Sequence, residues 1–217
     1  HAGVEGTLRF SKTHFLFPRR EGMEAASKEL QKCSTCKRVN ARGPGDHIRM
    51  GHLPIPAYSN DWVHIDFIEM PPSNNYNYIL VMVDGFSRYI QAYPLSKNSN
   101  SKQVLEAFKR AWVTPFGAPN GVRSDRDVRL QAAESAWRKG LRNLGTEVKF
   151  STPRRPQTNG LVERANRRLG EVLKKFSLRA KHSNWEKLLA LAVTVLNRQI
   201  QKSTRKSAFE IFMRMQP

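Results

Sequence analysis

A chain of 217 residues with 39 % hydrophobic residues can build one good-sized core, or a core domain with small appendages. Lysine and arginine number 37 against 18 acids, and the resulting net charge of +19 points to a polyanionic partner, most simply nucleic acid. No apolar run approaches a membrane span, no secretory leader is visible, and two cysteines, Cys33 and Cys36, are too few for a disulfide framework, so an intracellular, reducing setting is expected.

Residues 1–41 read as a small helical module, in which Met23, Ala26 and Leu30 recur at helical spacing and lead into Cys33. Residues 42–60 hold Gly43, Pro44, Gly45, Gly51, Pro54 and Pro56 and read as a linker. A core is expected over 61–180. It opens with three strands, Trp62 to Glu69, Tyr76 to Val83 and Tyr89 to Leu95. The turn-rich Pro71-Pro72-Ser73-Asn74-Asn75 and then Asp84-Gly85 divide them, which predicts an antiparallel meander. Val104, Ala107, Phe108 and Ala111 describe one helix face, which Gly117 to Gly121 interrupt. A short strand then leads to Asp125, a helix over Ala132 to Leu144 carries Trp137 and Leu141, and Val148-Lys149-Phe150 is a further strand. Leu161, Ala165, Leu169, Val172 and Phe176 are spaced as the buried face of a long helix. Residues 181–217 read as a helical extension, with Trp185 to Val195 in one helix and Phe209, Ile211 and Phe212 in a short last one. Strands first, then helices alternating with single strands, give an α/β fold with a mixed sheet.

Three acids stand in local settings that a metal site can use: Asp66 in the alternating run Trp62 to Ile68, Asp125 after Gly121-Val122-Arg123-Ser124, and Glu163 where a turn opens into a helix. Converging carboxylates repel, and a cation relieves that repulsion. Hard oxygen donors select Mg²⁺ or Mn²⁺, and a pair of such ions about 4 Å apart can activate a nucleophile and stabilise a leaving oxygen in phosphoryl transfer. Asp84, at a turn, reads as structural. Basic residues gather around Glu163: Arg154 and Arg155 before Pro156, then Arg164, Arg167, Arg168, Lys174 and Lys175 on the helix itself. Sharing a helix with a candidate catalytic acid makes them candidates for phosphate contacts that position a backbone without reading sequence. Cys33-Ser34-Thr35-Cys36 is compatible with a metal site or a redox pair.

Four blocks carry a resemblance to the integrases of retroviruses and gypsy-type long-terminal-repeat retrotransposons: His64-Ile65-Asp66-Phe67; Val81-Met82-Val83-Asp84-Gly85-Phe86-Ser87-Arg88; Phe116-Gly117-Ala118-Pro119 with Ser124-Asp125-Arg126; and Pro156-Gln157-Thr158-Asn159-Gly160 with Glu163-Arg164 and Asn166-Arg167. The 37 residues between Asp125 and Glu163 are close to the family's D-D-E spacing. The resemblance implies an RNase H-like mixed sheet with flanking helices, preceded by a small helical zinc-binding-like module. It also implies a polynucleotidyl transferase that trims DNA 3′ ends and joins them to target DNA, using Asp66, Asp125 and Glu163 around two metal ions. A homo-oligomer and a nuclear location are implied with it. The segment from His1 to Leu8, with Phe15-Leu16-Phe17-Pro18, Cys33 and Cys36, resembles the family's zinc module, so His1, Cys33 and Cys36 are expected to bind one Zn²⁺ with a fourth ligand not identified.

The chain departs from the family pattern at Asp127, where glycine is usual, and at Leu130, where an aromatic residue is usual. Near the end, Ala208 replaces a proline and Arg214 a glycine. The altered neighbourhood of Asp125 keeps a second reading open. In that reading an integrase fold has lost catalysis and serves as a structural subunit that binds nucleic acid, RNA included, in a larger ribonucleoprotein assembly.

Overall fold

The structure, a computed structural model, describes residues 3–12, 18–35, 56–125, 127, 130, 135–150, 160–180 and 184–216. Two helices, α1 (Gly3–Lys12) and α2 (Arg19–Lys32), pack on each other. The core follows as β1 (Trp62–Ser73), β2 (Tyr76–Asp84) and β3 (Ile90–Leu95), helix α3 (Ser101–Phe108), β4 (Gly121–Ser124), α4 (Ala136–Asn143), β5 (Glu147–Phe150) and α5 (Gly160–Ala180). Helices α6 (Trp185–Arg198) and α7 (Ala208–Met213) complete the described chain.

The five strands form one sheet in the order β3-β2-β1-β4-β5. β1, β2 and β3 pair antiparallel, as the meander predicts, whereas β4 joins β1 and β5 joins β4 in parallel. The expected mixed sheet is therefore present. Alternation along β1 divides its side chains between two helical layers. Val63 and Ile65, with Leu80, Met82 and Val122, are buried on one face against Phe108, Trp112, Trp137 and Leu141. Ile79, Val81, Val83 and Ile90 are buried on the other against Leu169, Leu173, Trp185, Leu189 and Ala192. Asp66 faces Val81 across the β1–β2 pair, so it lies on the second of these faces, the one that α5 covers.

Four local features differ from the sequence reading or explain it. The turn-rich Pro71 to Asn75 is mostly strand: β1 runs to Ser73, with a register shift between Glu69 and Ser73, and only Asn74 and Asn75 turn the chain. β4 pairs only with Trp62 to Ile65, so Pro71 and Pro72 have no strand on that second side of β1 among the described residues, and prolines, which cannot donate to a ladder, are tolerated at such a bulged edge. Helix α3 continues through a π turn, Lys109–Val113, into Thr114–Phe116, and this widened turn holds Trp112, whose Nε1–H donates to Asn60 Oδ1 at 2.8 Å. The expected helix over 132–144 is described from Ala136, capped by the Ser135 side chain.

The fourth is α7, which accounts for two departures in sequence. Ser207 and Glu210 make a capping box, so Ala208 stands at the first helical position, where proline is favoured. Arg214 is the C-cap, with φ 57°, a left-handed conformation that favours glycine.

Edge strand β3 is closed by a side chain that the sequence did not single out. Asn197 on α6 accepts from the Ile90 N–H and donates to the Ile90 carbonyl, both at 2.8 Å. Both polar groups of a strand-edge residue are thus satisfied by one amide. Among the described residues, no helix is long and apolar enough to cross a membrane.

Candidate active site

The parallel pairing of β1 with β4 brings the first two acids together. Ile65 registers with Ser124, and extending that register by one residue sets Asp66, within β1, beside Asp125 just past the carboxyl end of β4, about 5 Å apart backbone to backbone. Strand β4 stops at Ser124, so Asp125 begins the following loop rather than lying in the strand. Asp125 Oδ1 accepts the backbone N–H of Asp127 at 3.2 Å, a bond that asks nothing of the residue 127 side chain. The third acid, Glu163, lies in the first turn of α5 and is exposed, and a helix N-terminus is favourable for a carboxylate.

The electrostatics of Asp66 register both neighbours. Burial, with Asp125 and Glu163 adding repulsion, pushes its carboxyl up to about 6, against hydrogen bonds that favour the charged form. Those bonds come from the Phe67 N–H at 2.9 Å to Oδ1 and from Asn166 Nδ2 at 2.7 Å to Oδ2. Asn166 stands three residues after Glu163, on a neighbouring part of the helix surface. Its Oδ1 is buried and has no hydrogen-bond partner among the described residues. Sequence reasoning used Asn166 only as part of a motif. The spacing from Glu163 was the signal that could have placed it in the site.

Two residues before Asp66, on the same face of β1, His64 is buried, and burial followed by the Arg123 and Arg88 cations holds its imidazole down to about 4. His64 is therefore neutral at physiological pH. Asp84 is fully buried and structural, as expected. It accepts from the Ser87 N–H and Oγ–H at 2.7 Å and from the Asn60 N–H at 2.8 Å, which fixes the β2–β3 turn, while burial pushes its carboxyl up.

The donor set is all hard oxygen, and the raised Asp66 carboxyl together with the orphaned Asn166 oxygen suits a hard divalent cation at this point. Among the described residues, no three His, Cys, Asp or Glu side chains are already gathered tightly enough to hold an ion. The structure thus brings Asp66, Asp125 and Glu163 into electrostatic contact but leaves Glu163 pointing to solvent.

The five basic residues proposed on α5 separate into two groups. Arg164, Arg167 and Lys174 are exposed. Arg168 is half-buried and donates to Gln199 Oε1 at 2.7 Å, and Lys175 is only 6 % exposed. Because α6 packs along that side of α5, these two are spent inside the fold, and the outward cationic face narrows to three. Arg154, Arg155, His1 and Cys36 lie outside the described residues. Cys33 ends α2, its N–H donating to the Leu30 carbonyl at 3.3 Å, and nothing described gathers a zinc ligand set around it.

A model of the family described as the integrase core domain matches residues 56–156. The Transposon Tf2-3 polyprotein of Schizosaccharomyces pombe (strain 972 / ATCC 24843) is 31 % identical over 223 residues, an alignment that takes in 100 % of this chain but 16 % of the polyprotein. Among solved structures, the simian T-cell lymphotropic virus intasome in complex with PP2A regulatory subunit B56 gamma matches with a TM-score of 0.66 at 19 % identity, over 98 % of this chain and 73 % of that one. The HTLV-2 integrase catalytic core domain in complex with magnesium, in its trimeric form, matches with a TM-score of 0.60 at 19 % identity, over 72 % of this chain and 98 % of that one. The five-stranded mixed sheet with helices on both faces is the RNase H-like fold of these cores. Residues 56–156 thus match an integrase core domain, within a chain that is similar along its whole length to part of a retrotransposon polyprotein.

Proposed function

We propose that this chain is the catalytic portion of a polynucleotidyl transferase that processes DNA 3′ ends and joins them to target DNA, with Asp66, Asp125 and Glu163 as its metal-holding acids. The observation that carries the reading is the state of Asp66: a half-buried carboxyl within β1, pressed by two further acids from the end of β4 and from α5, and oriented by Asn166. Such a cluster is costly unless a cation joins it. The HTLV-2 core, a relative in fold, is described in complex with magnesium, which supports Mg²⁺ as that cation. When bound, a pair of such ions supplies activation of the attacking hydroxyl and stabilisation of the leaving oxygen.

The protein's own contributions follow from the geometry. Asp66 must be deprotonated to serve, and a carboxyl at about 6 is so at neutral pH. Asn166 fixes which Asp66 oxygen is directed away from the helix. Glu163, exposed on the first turn of α5, is free to swing toward the pair. Arg164, Arg167 and Lys174 bind backbone phosphates along the same helix, without sequence preference. Joining two DNA ends at once calls for more than one copy of the chain.

Asp66→Asn tests the reading. The substitution removes a ligand charge while keeping size and the Phe67 contact, so strand transfer with Mg²⁺ should fall at least about 10²-fold while fold and DNA affinity persist. Strand transfer by the variant at the wild-type rate would remove Asp66 from the site. Wild-type protein that binds tightly but joins nothing would favour the structural-subunit reading.

A further inference from the structure

Helix cover on the Asp66 face of the sheet reaches β1, β2 and β3: α5 packs on β1 and β2, and α6 on β3. Beyond β1 the same face carries a different surface. Strand register places Trp62, His64 and Asp66 of β1 on it, with Gly121 and Arg123 of β4 and Glu147 and Lys149 of β5. Glu147 and Lys149 keep about half of their side-chain area in water, with 56 % and 51 % exposed, and form an ion pair at 3.0 Å.

The arrangement is specific. The Trp62 indole lies flat over Gly121, where even a methyl group would come within 2.5 Å of the ring. Arg123 sits 4.7 Å and Lys149 4.6 Å from the ring centroid. Arg123 and Lys149 are direct register partners on adjacent strands, and like charges in that position repel. Among the described residues the indole quadrupole and the exposed Glu147 offset them, and an exposed ion pair exchanges partners at little cost. The fold has thus set two cations side by side on a sheet face that no described helix covers, around an aromatic ring, next to the acid cluster.

We propose that this Trp62–Arg123–Lys149 surface is a docking subsite for the phosphodiester backbone of a DNA strand running to or from the acids. An anion between Arg123 and Lys149 relieves their repulsion, and the strand geometry fixes its distance from the chemistry. Lys149 lies two strands across and two residues back from Asp66, about 12 Å away. A strand that rises about 3.4 Å per nucleotide also winds about its axis, which sets neighbouring phosphates about 6–7 Å apart, so this is about two nucleotides from the reacting phosphate. The inference rests on the transferase reading for the identity of the polymer, but its test does not use catalysis.

The full chain is titrated with an end-labelled DNA duplex in EDTA, by fluorescence anisotropy, over a range of salt concentrations. Lys149→Gln and Arg123→Gln should each lower affinity about tenfold and reduce the salt slope by about one, while Lys149→Arg retains both. A duplex with a single neutral methylphosphonate about two nucleotides from its reacting end should weaken wild-type binding equally and leave Lys149→Gln unaffected, because the two changes delete one contact. Wild-type affinity and slope in both Gln variants, or additive losses at every methylphosphonate position, would overturn the subsite. So would preferential binding of poly-glutamate over DNA at this surface. Wild-type protein that shows these binding effects but carries out no strand transfer would defeat the transferase reading alone.

Discussion

Two neighbours on β1, His64 and Asp66, pull the pH dependence of stability in opposite directions. The Asp66 carboxyl, ordinarily near 3.8, is raised to about 6, so between those values the folded state holds a proton that the unfolded chain has released, and stability falls as pH rises. The His64 imidazole, ordinarily near 6.5, is lowered to about 4, so the unfolded chain binds the extra proton in that window, and stability rises with pH. Each slope is worth at most about 2 kcal/mol once water access to the groups is allowed for. Asp66→Asn should therefore steepen the rise of the melting temperature between pH 4 and 6.5, and His64→Asn should flatten or invert it, in metal-free thermal melts. Identical pH profiles for both variants and wild type would show that neither group is perturbed in the folded state. Asp66 was legible in the sequence because its motif is linear. His64 and Asn166 were not, because burial of the first and the bond from the second to Asp66 depend on how α5 crosses the sheet, which no local pattern encodes.

Among the elements, those set by periodicity agreed best with the sequence: the meander, α5 and α6 are all present, although the most buried side of α5 is Val162, Ala165, Leu169 and Leu173, with the expected Leu161, Val172 and Phe176 only half-buried beside it. Errors fell where a strand continues through residues that usually stop one, as at Pro71 and Pro72, and where tertiary contacts widen a helix, as at Trp112. The last short helix shows the same contest in reverse. Arg214 holds a left-handed C-cap at φ 57°, a conformation that costs a residue with a Cβ about 1 kcal/mol. Arg214→Gly should stabilise the protein by about that amount, read as a shift in the urea midpoint at unchanged slope. A lower midpoint would mean that the arginine side chain makes a compensating contact.

For the whole molecule, a net charge of +19 predicted a polyanionic partner but could not say which surface meets it. The fold distributes that charge unevenly, turning Lys175 and Arg168 inward and leaving Arg164, Arg167 and Lys174 outward on α5, with Arg123 and Lys149 on the half of the sheet that no described helix covers. Both surfaces border the acids, so one strand can be held on either side of them. The account depends most on those acids forming a divalent-cation site. Anomalous diffraction from crystals soaked in MnCl₂ at pH 7.5, where the Asp66 carboxyl at about 6 is ionised, addresses that directly. The account predicts an anomalous peak in contact with the Asp66 and Asp125 carboxylates, with Glu163 turned toward it. A map with both carboxylates ordered and no peak between them would contradict it.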